Sequence, residues 1–290
     1  MNIGITLYKQ GSSNENLKTS STDPEYDYML ALDCSELQDL KVIKDKCMTK
    51  ACYAKLKLKS DSSHHFEDYE KDGYLSSRLI TKMVHHHLTE YLTANRKHYP
   101  DIKPLKDHGP AIQVDVKSEG EKYSIDLVIG IEVNGSLKNE IYIPKPKFRQ
   151  GQDKIWRQSF FKEEQKLLLE MEEFPLQVTR MVKAIRDKDT ILSKLNLNSY
   201  LIKSTLFNLL RTDKFLSALK SGRLGKCLLY FLNDLRKSMV SRKLPHYFNM
   251  MHNLLIKHSS TDLMPEVQDI ANRLEELICN EDELMKILNM

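Results

Sequence analysis

The sequence is poor in cysteine, and its cysteines lack metal or redox spacing. Cys34, Cys47, Cys52, Cys227 and Cys279 are an odd, scattered set with no C-x-x-C, which argues against a disulfide framework and gives no zinc signature. No stretch approaches the roughly 18 uninterrupted apolar residues that a membrane span needs. Met1 to Gly11 lack the basic start and apolar centre of a secretory signal. Internal repeats and long low-complexity tracts are also missing. These absences read as a cytoplasmic protein in a reducing compartment, with no membrane partner. What is present is a globular composition, neither disordered nor collagen-like: 290 residues, 41% hydrophobic, 44 Lys+Arg against 40 Asp+Glu. At about 100 to 200 residues per domain, this length predicts one large or two intimate lobes, with a cleft between them.

The near-neutral total hides a dipolar chain. Lys41 to Ser60 carries seven lysines (Lys41, Lys44, Lys46, Lys50, Lys55, Lys57, Lys59) and one acid, Asp45. Arg211 to Lys243 carries nine basic residues against Asp213 and Asp234, whereas Thr261 to Met290 carries eight acids against Arg273 and Lys286. Concentrated cations of this kind can neutralise a polyanion's phosphates, and a salt-bridged surface has the same signature.

Hydrophobic periodicity divides the chain. Tyr26, Tyr28, Leu30 and Leu32 alternate with Glu25, Asp27, Met29 and Ala31, the period of two of a strand with one face on the core. Tyr123, Ile125, Leu127, Ile129 and Ile131 repeat that pattern and put Asp126 on the opposite face. From Trp156 onward the pattern turns helical, around Lys166 to Met171, Leu201 to Leu210 and Leu263 to Ile278. The expected fold is α+β: a mixed-sheet lobe over residues 1–155 and a helical lobe over 156–290. Ser60 to His65 reads as an exposed loop. His85, His86 and His87, successive on a helix, point in different directions and cannot share one metal.

Gly11-Ser12-Ser13 precedes the Glu25–Asp27 strand by about a dozen residues. A Gly-Ser turn can aim N–H groups and a hydroxyl at phosphate oxygens, although most such turns are plain loops. Two carboxylates two residues apart on one strand and a third on another can converge on two hard divalent cations. The same acids also fit a solvated strand face.

Taken together, Gly11-Ser12-Ser13, Glu25-Tyr26-Asp27 and Ser124-Ile125-Asp126 resemble the Gly-Ser, Glu-x-Asp and distal Asp series of polymerase-β-like nucleotidyltransferases. Trp156-Arg157-Gln158-Ser159-Phe160, Ser199-Tyr200-Leu201-Ile202-Lys203 and Leu244-Pro245-His246-Tyr247-Phe248 resemble the Mab-21-type segments of cyclic GMP-AMP synthase-like receptors. The resemblance runs from Gly11 to about Leu255.

The resemblance implies a bilobal nucleotidyltransferase that makes cyclic GMP-AMP from ATP and GTP as an innate-immune messenger. Glu25, Asp27 and Asp126 would be catalytic and would hold two Mg²⁺ or Mn²⁺ ions. The ATP side would comprise Ser12, Glu25, Asp27, Glu164, Lys183, Ser199, Tyr200 and Lys203. Asp126, Arg157, Ser159 and Glu164 would serve GTP, with Arg157, Ser159 and Glu164 taken as one helical stretch. Trp156 and the Leu-Pro-His-Tyr-Phe run are expected to pack a lobe interface, with no catalytic role for His246. The connection from Met171 to Val178 lacks the His/Cys zinc insertion of DNA-sensing members, so the chain resembles zinc-free invertebrate receptors, several of which respond to double-stranded RNA. Such RNA would bind Lys41, Lys44, Lys46, Lys50, Lys55, Lys57 and Lys59, leaving room for a ligand-induced dimer. Only ten residues precede Gly11, where family members carry a long spine helix. A catalytically silent Mab-21-type scaffold and an enzyme making another nucleotide product stay open as alternatives.

Overall fold

A computed structural model describes residues 4–11, 15–19, 25–34, 40–44, 52–59, 66–103, 105–108, 111–118, 120–134, 139–144, 153–256 and 266–289. Ser12, Lys46, Lys50, Leu263 and the loop 60–65 therefore lie outside the described residues. The chain forms two compact units: Met1–Glu15 with Ser21–Glu164, and Asn16–Ser20 with Gln165–Met290.

The first unit is built on an 11-stranded sheet. Its strands are β1 (Gly4–Gln10), β2 (Glu25–Asp33), β3 (Leu40–Ile43), β4 (Tyr53–Leu58), β5 (Glu70–Lys71), β6 (Tyr74–Leu75), β7 (Lys106–His108), β8 (Ala111–Ser118), β9 (Glu121–Asn134), β10 (Asn139–Pro144) and β11 (Trp156–Ser159). The main path runs β1-β2-β9-β10-β11-β4-β6-β5, with β3 on β4 and the β7–β8 hairpin on β9. Strands β2 and β9 pair in parallel, while β1 and β10 flank them antiparallel.

One face of this sheet is covered by helix α1 (Ser77–Ala94). Ser76 caps the helix by accepting the Leu79 N–H, and Ile80 and Val84, one turn apart, enter a core with Leu32, Leu56, Ile112, Leu127, Ile129, Ile131 and Trp156. The alternation expected for β2 and β9 is present. Its solvated second face is not, because Met29 and Ala31 are buried with Ile141, Ile143 and Phe161. Strand β11 corrects the helical expectation beyond Trp156, since Trp156 to Ser159 complete the sheet between β10 and β4. Trp156, expected at a lobe interface, lies fully buried inside the first unit's core, where its indole N–H donates to the Leu75 carbonyl at 3.0 Å.

Helix α2 (Phe161–Leu169) begins in the first unit and ends in the second. The second unit contains α3 (Glu173–Lys188), α4 (Ser199–Leu209), α5 (Asp213–Lys220), α6 (Leu224–Val240), α7 (Val267–Cys279) and α8 (Glu281–Asn289), plus a two-stranded ribbon, β12 (Pro245–His246) and β13 (Asn249–Asn253). Apolar stripes meet in one core: Val182 and Ile185, Ile202 and Leu206, Phe231 and Leu235, Ile270, Leu274 and Leu277, Leu284 and Ile287. Ion pairs lock its rim. Arg273 of α7 donates twice to the Asp189 carboxylate, at 3.0 and 2.7 Å, and also pairs with Glu276 and Glu283. Asp189 in turn accepts the N–H groups of Ile191 and Leu192, closing the turn after α3.

Candidate active site

The site in the first unit follows from strand register. In the parallel β2–β9 ladder Asp27 stands opposite Asp126, and Glu25 stands opposite Ser124. Neighbouring strands lie about 4.8 Å apart, so the two aspartates project side by side from one face. Asp126 is 8% exposed and Asp27 half-buried. Glu25 occupies the register position two residues before Asp27, in a strand of period two. Strand β1 ends with Gln10 opposite Asp27, and Gly11 then turns at φ +73°. A Cβ on Gly11 would stand 2.7 and 2.8 Å from Cγ and Cβ of Asp27, inside contact distance, so glycine is needed for close approach as well as for the dihedral.

The same face continues across the sheet. Ile141 opposes Glu132, Ser159 opposes Ile141, Arg157 opposes Ile143, and Tyr53 opposes Arg157. Arg157 thus shares the carboxylate face, two strands or about 10 Å across the sheet from Asp126 and about four residues, or about 13 Å, farther along it. Tyr53 is buried beside it; burial pushes the phenol pKa up, partly countered by the Arg157 charge. Arg157 and Ser159 lie on β11, and only Glu164 lies on α2, which corrects the expectation of a single helical stretch. Phe161 lies over the middle of the face, with its ring 4.9 Å from Tyr8. Lys162 donates to Glu132 at 2.8 Å and sits 4.9 Å from the Tyr8 ring centre, and Glu164, one turn into α2, is buried.

Lysines occupy the far part of this face. Lys41 and Lys57 stand directly opposite each other, and Lys55, two residues from Lys57, lies 5.4 Å from the Tyr74 ring centre. Lys41, Lys57 and Lys59 are exposed. Lys44 is committed to Glu140 at 2.9 Å. Sheet twist of about 20° per strand turns this lysine-bearing part away from the plane of the aspartates. Elsewhere, His86 and His87 both meet Glu90, and His85 faces Asp107 at 3.9 Å.

The second unit carries a cationic and aromatic cluster. Asn198 caps α4 through the N–H groups of Tyr200 and Leu201, both at 3.0 Å, and Ser199 accepts from Arg186 at 3.0 Å. The Phe248 N–H donates to Nδ1 of His246, so Nε2 carries the imidazole proton and donates to the Tyr200 hydroxyl, 2.8 Å away. Lys203, 8% exposed, sits 5.5 Å from the Tyr200 ring centre. Lys183 is buried and donates to the Leu17 carbonyl at 2.5 Å. The roles of His246, Arg186 and Tyr53 escaped sequence reasoning. Asn198, one residue before a helix, was a readable cap.

Residues 13–170 match the family model of the Mab-21 protein nucleotidyltransferase domain, and residues 176–276 that of the Mab-21 protein HhH/H2TH-like domain. The chain belongs to the Mab-21 family. The nucleotidyltransferase domain of this Mab-21 protein includes Glu25, Asp27, Asp126, Arg157, Ser159 and Glu164; its second domain includes Lys183, Ser199, Tyr200 and Lys203. Among its relatives, cyclic GMP-AMP synthase-like receptor 3 of Stylophora pistillata is 32% identical over 200 residues, covering 63% of this chain and 55% of that protein. The cyclic GMP-AMP synthase-like receptor of Lucilia cuprina is 33% identical over 155 residues, 50% of this chain and 41% of that protein. That of Trichogramma pretiosum is 26% identical over 201 residues, 63% and 39% respectively. The chain spans about half the length, or less, of these relatives.

Whether a divalent pair fits is a question of donor chemistry. Asp27 and Asp126 present hard carboxylate oxygens on adjacent strands at one rung, the donor type that Mg²⁺ and Mn²⁺ prefer. Among the described residues no three His, Cys, Asp or Glu side chains are arranged to hold a metal ion, and the Glu25 side chain is not among those described. The two aspartates fit such a cation. No helix among the described residues is long and apolar enough to cross a membrane.

Proposed function

We propose that this Mab-21 protein is a nucleotidyltransferase that joins ATP and GTP into a cyclic dinucleotide, cyclic GMP-AMP, as an innate-immune messenger in the cytoplasm. The observation that carries this reading is the Asp27–Asp126 rung beneath Gly11. Glu25, Asp27 and Asp126 would hold two Mg²⁺ or Mn²⁺ ions, which, when bound, stabilise the charge of the donor triphosphate. Ser12 would bind that triphosphate. Tyr200 stacks on a base, with Lys203, Ser199, Lys183 and Glu164 around the ATP side. Arg157, whose planar fork suits a guanine edge, holds GTP with Ser159, Glu164 and Asp126.

A ribose hydroxyl of the acceptor attacks the donor α-phosphorus in line. The new O–P bond forms as the bond from that phosphorus to the bridging oxygen of pyrophosphate breaks, pyrophosphate leaves with the electron pair, and Asp126 takes the hydroxyl proton. A second transfer within the linear intermediate closes the ring.

Double-stranded RNA is the proposed activator, bound by phosphate and shape at Lys41, Lys55, Lys57 and Lys59 and neighbouring lysines, with a dimer forming on it. Support comes from the like-charged Lys41–Lys57 pair, which repels itself unless an anion lies across it.

The test is the purified chain with ATP, GTP and Mg²⁺ or Mn²⁺, with and without long double-stranded RNA, products resolved by mass spectrometry and nuclease sensitivity. RNA-dependent cyclic dinucleotide is expected. A folded protein that makes no product under any of these conditions would point to the catalytically silent scaffold, and a linear oligonucleotide would point to another nucleotide product.

A further inference from the structure

Tyr74 stands in the middle of a lysine row. Across β3, β4, β6 and β5 the register sets Lys41 opposite Lys57, Lys57 opposite Tyr74, and Tyr74 opposite Lys71, so all four side chains leave one face of the sheet. At about 4.8 Å per strand the row is about 14 Å wide. Lys55, two residues before Lys57 and on the same face, has its ammonium 5.4 Å from the Tyr74 ring centre, and the Lys154 ammonium lies 5.9 Å from it. Five lysines thus surround one aromatic ring. Two of them have carboxylate partners: Lys71 pairs with Asp153 at 3.2 Å, and Lys154 with Asp72.

The local sequence holds this ring rigidly. Asp72 and Gly73 both take left-handed φ, 52° and 78°, as a two-residue hairpin turn requires, and Glu70 accepts the Gly73 N–H at 2.7 Å. The hairpin is tied to β4 by the Leu58 N–H, which donates to the Gly73 carbonyl at 3.1 Å. Leu75, the next residue, points the other way into the core, and its carbonyl accepts the Trp156 indole N–H. Alternation leaves Tyr74 half-buried on the lysine face. A ring fixed in this way loses little freedom when a flat ligand settles on it. A surface that meets only the phosphates of a duplex has no use for such a ring, because the bases of a duplex are stacked inside it. An aromatic ring within a cationic row suits an unpaired nucleotide, with the base on the ring and the adjoining phosphates on the ammoniums. Lysine stems packed on a tyrosine make similar contacts, and the two roles differ in what loss of the ring does.

We propose that Tyr74 is a base-stacking platform for an unpaired nucleotide of an RNA strand, with Lys41, Lys55 and Lys57 on the adjoining phosphates. The proposal rests on the RNA-activated reading and narrows it: the favoured partner is a duplex that carries a single-stranded overhang.

The experiment titrates the wild-type chain, Tyr74→Leu and Tyr74→Phe with two fluorescent probes of equal charge, at several salt concentrations and alongside melting temperatures. One probe is duplex RNA with a single-stranded adenosine overhang, and the other is the same duplex with an overhang of abasic nucleotides. The wild type should bind the adenosine probe more tightly by a factor on the order of 10, the worth of one base stack. Tyr74→Leu should lose that preference by weakening for the adenosine probe alone. Its slope of log affinity against log salt should match the wild type, since no phosphate contact is removed. Tyr74→Phe keeps the ring and should keep the preference. Equal binding of the two probes by the wild type would overturn the proposal however well Tyr74→Leu folds. A preference that survives in Tyr74→Leu would overturn it too, and equal losses for both probes would return Tyr74 to the packing of lysine stems. A folded wild-type chain that binds neither probe would overturn the RNA reading itself, and the proposal with it.

Discussion

Gly11 turns the chain directly over the carboxylate of Asp27, at a φ that L side chains rarely adopt and with no room for a Cβ. One backbone position thus couples the end of β1 to a metal-type carboxylate on β2. Gly11→Ala should cost about 1 to 2 kcal/mol in backbone strain and push Asp27 aside. A displacement near 1 Å lowers a positioned reaction by a factor on the order of 100. Product formation from ATP and GTP should fall by that factor while the melting temperature drops only a few degrees. Full turnover in the alanine variant would separate Asp27 from the chemistry.

Asp126→Asn keeps shape and removes the charge that Asp27 faces across the ladder. Transfer should fall at least about 100-fold, the scale on which one preorganised electrostatic contact in an active site acts. Circular dichroism and melting should stay close to wild type, because the change keeps the side chain's shape and relieves the repulsion between neighbouring carboxylates. Rates measured by mass-resolved product decide it, and unchanged rates would remove Asp126 from the site.

His246 holds the Tyr200 hydroxyl through a proton whose location is set by the Phe248 N–H on the other ring nitrogen. His246→Phe frees the Tyr200 ring to rotate, and a base stack is worth about 1 to 3 kcal/mol. The ATP KM should rise roughly 10-fold with a smaller change in kcat. His246→Gln, which can still donate, should recover part of the difference. An unaltered KM in both variants would leave His246 as packing alone.

The strands bearing Asp27 and Asp126 are legible in the sequence because period two survives even where both faces are buried. Their pairing is not, since periodicity says nothing of which strand lies beside which. The parallel rung, and the common face reaching to Arg157 and Lys57, emerge only from register. Strand β11 was hidden by its length: four residues beside a strong helical pattern carry too little periodicity to be told from it. The burial of Leu17 has no local signal, because its carbonyl is held from 166 residues away by Lys183. Tyr200 and Lys203 are legible only through motif resemblance, whereas the helix start that presents them follows from the Asn198 cap.

Acid should loosen the helical unit first at Asp189. Burial pushes its carboxyl pKa up, but the Arg273 guanidinium and the N–H groups of Leu192 and Ile191 outweigh that and hold it below the usual carboxylate range. With the folded pKa depressed, this contribution to stability is fully present above the unfolded value near 4 and is lost as pH falls through the folded one. Unfolding midpoints in urea should therefore fall below about pH 4 in the wild type. Asp189→Asn should lower stability at pH 7 by about 3 to 5 kcal/mol, the scale for breaking a buried pair, and flatten the acid limb. Parallel acid limbs would show that Asp189 titrates alike in both states.

The lysine stretch divides by structure into committed and available cations. Lys44 pairs with Glu140, whereas Lys41 and Lys57 face each other across the β3–β4 ladder and are exposed. Lys41→Glu and Lys57→Glu should each weaken binding of long double-stranded RNA. Each should also flatten the plot of log affinity against log salt by roughly 0.9 for every phosphate that the variant no longer neutralises, taking the duplex DNA value as guide. Lys44→Ala should change that slope little, since its charge is already neutralised by a neighbour. A single such reversal should also relieve the Lys41–Lys57 repulsion, so the free protein should melt no lower than wild type. Fluorescence titrations at several salt concentrations measure the slope. Equal slopes for wild type, Lys57→Glu and Lys44→Ala would place the polyanion elsewhere, and the nine basic residues from Arg211 to Lys243 would be the next surface to reverse.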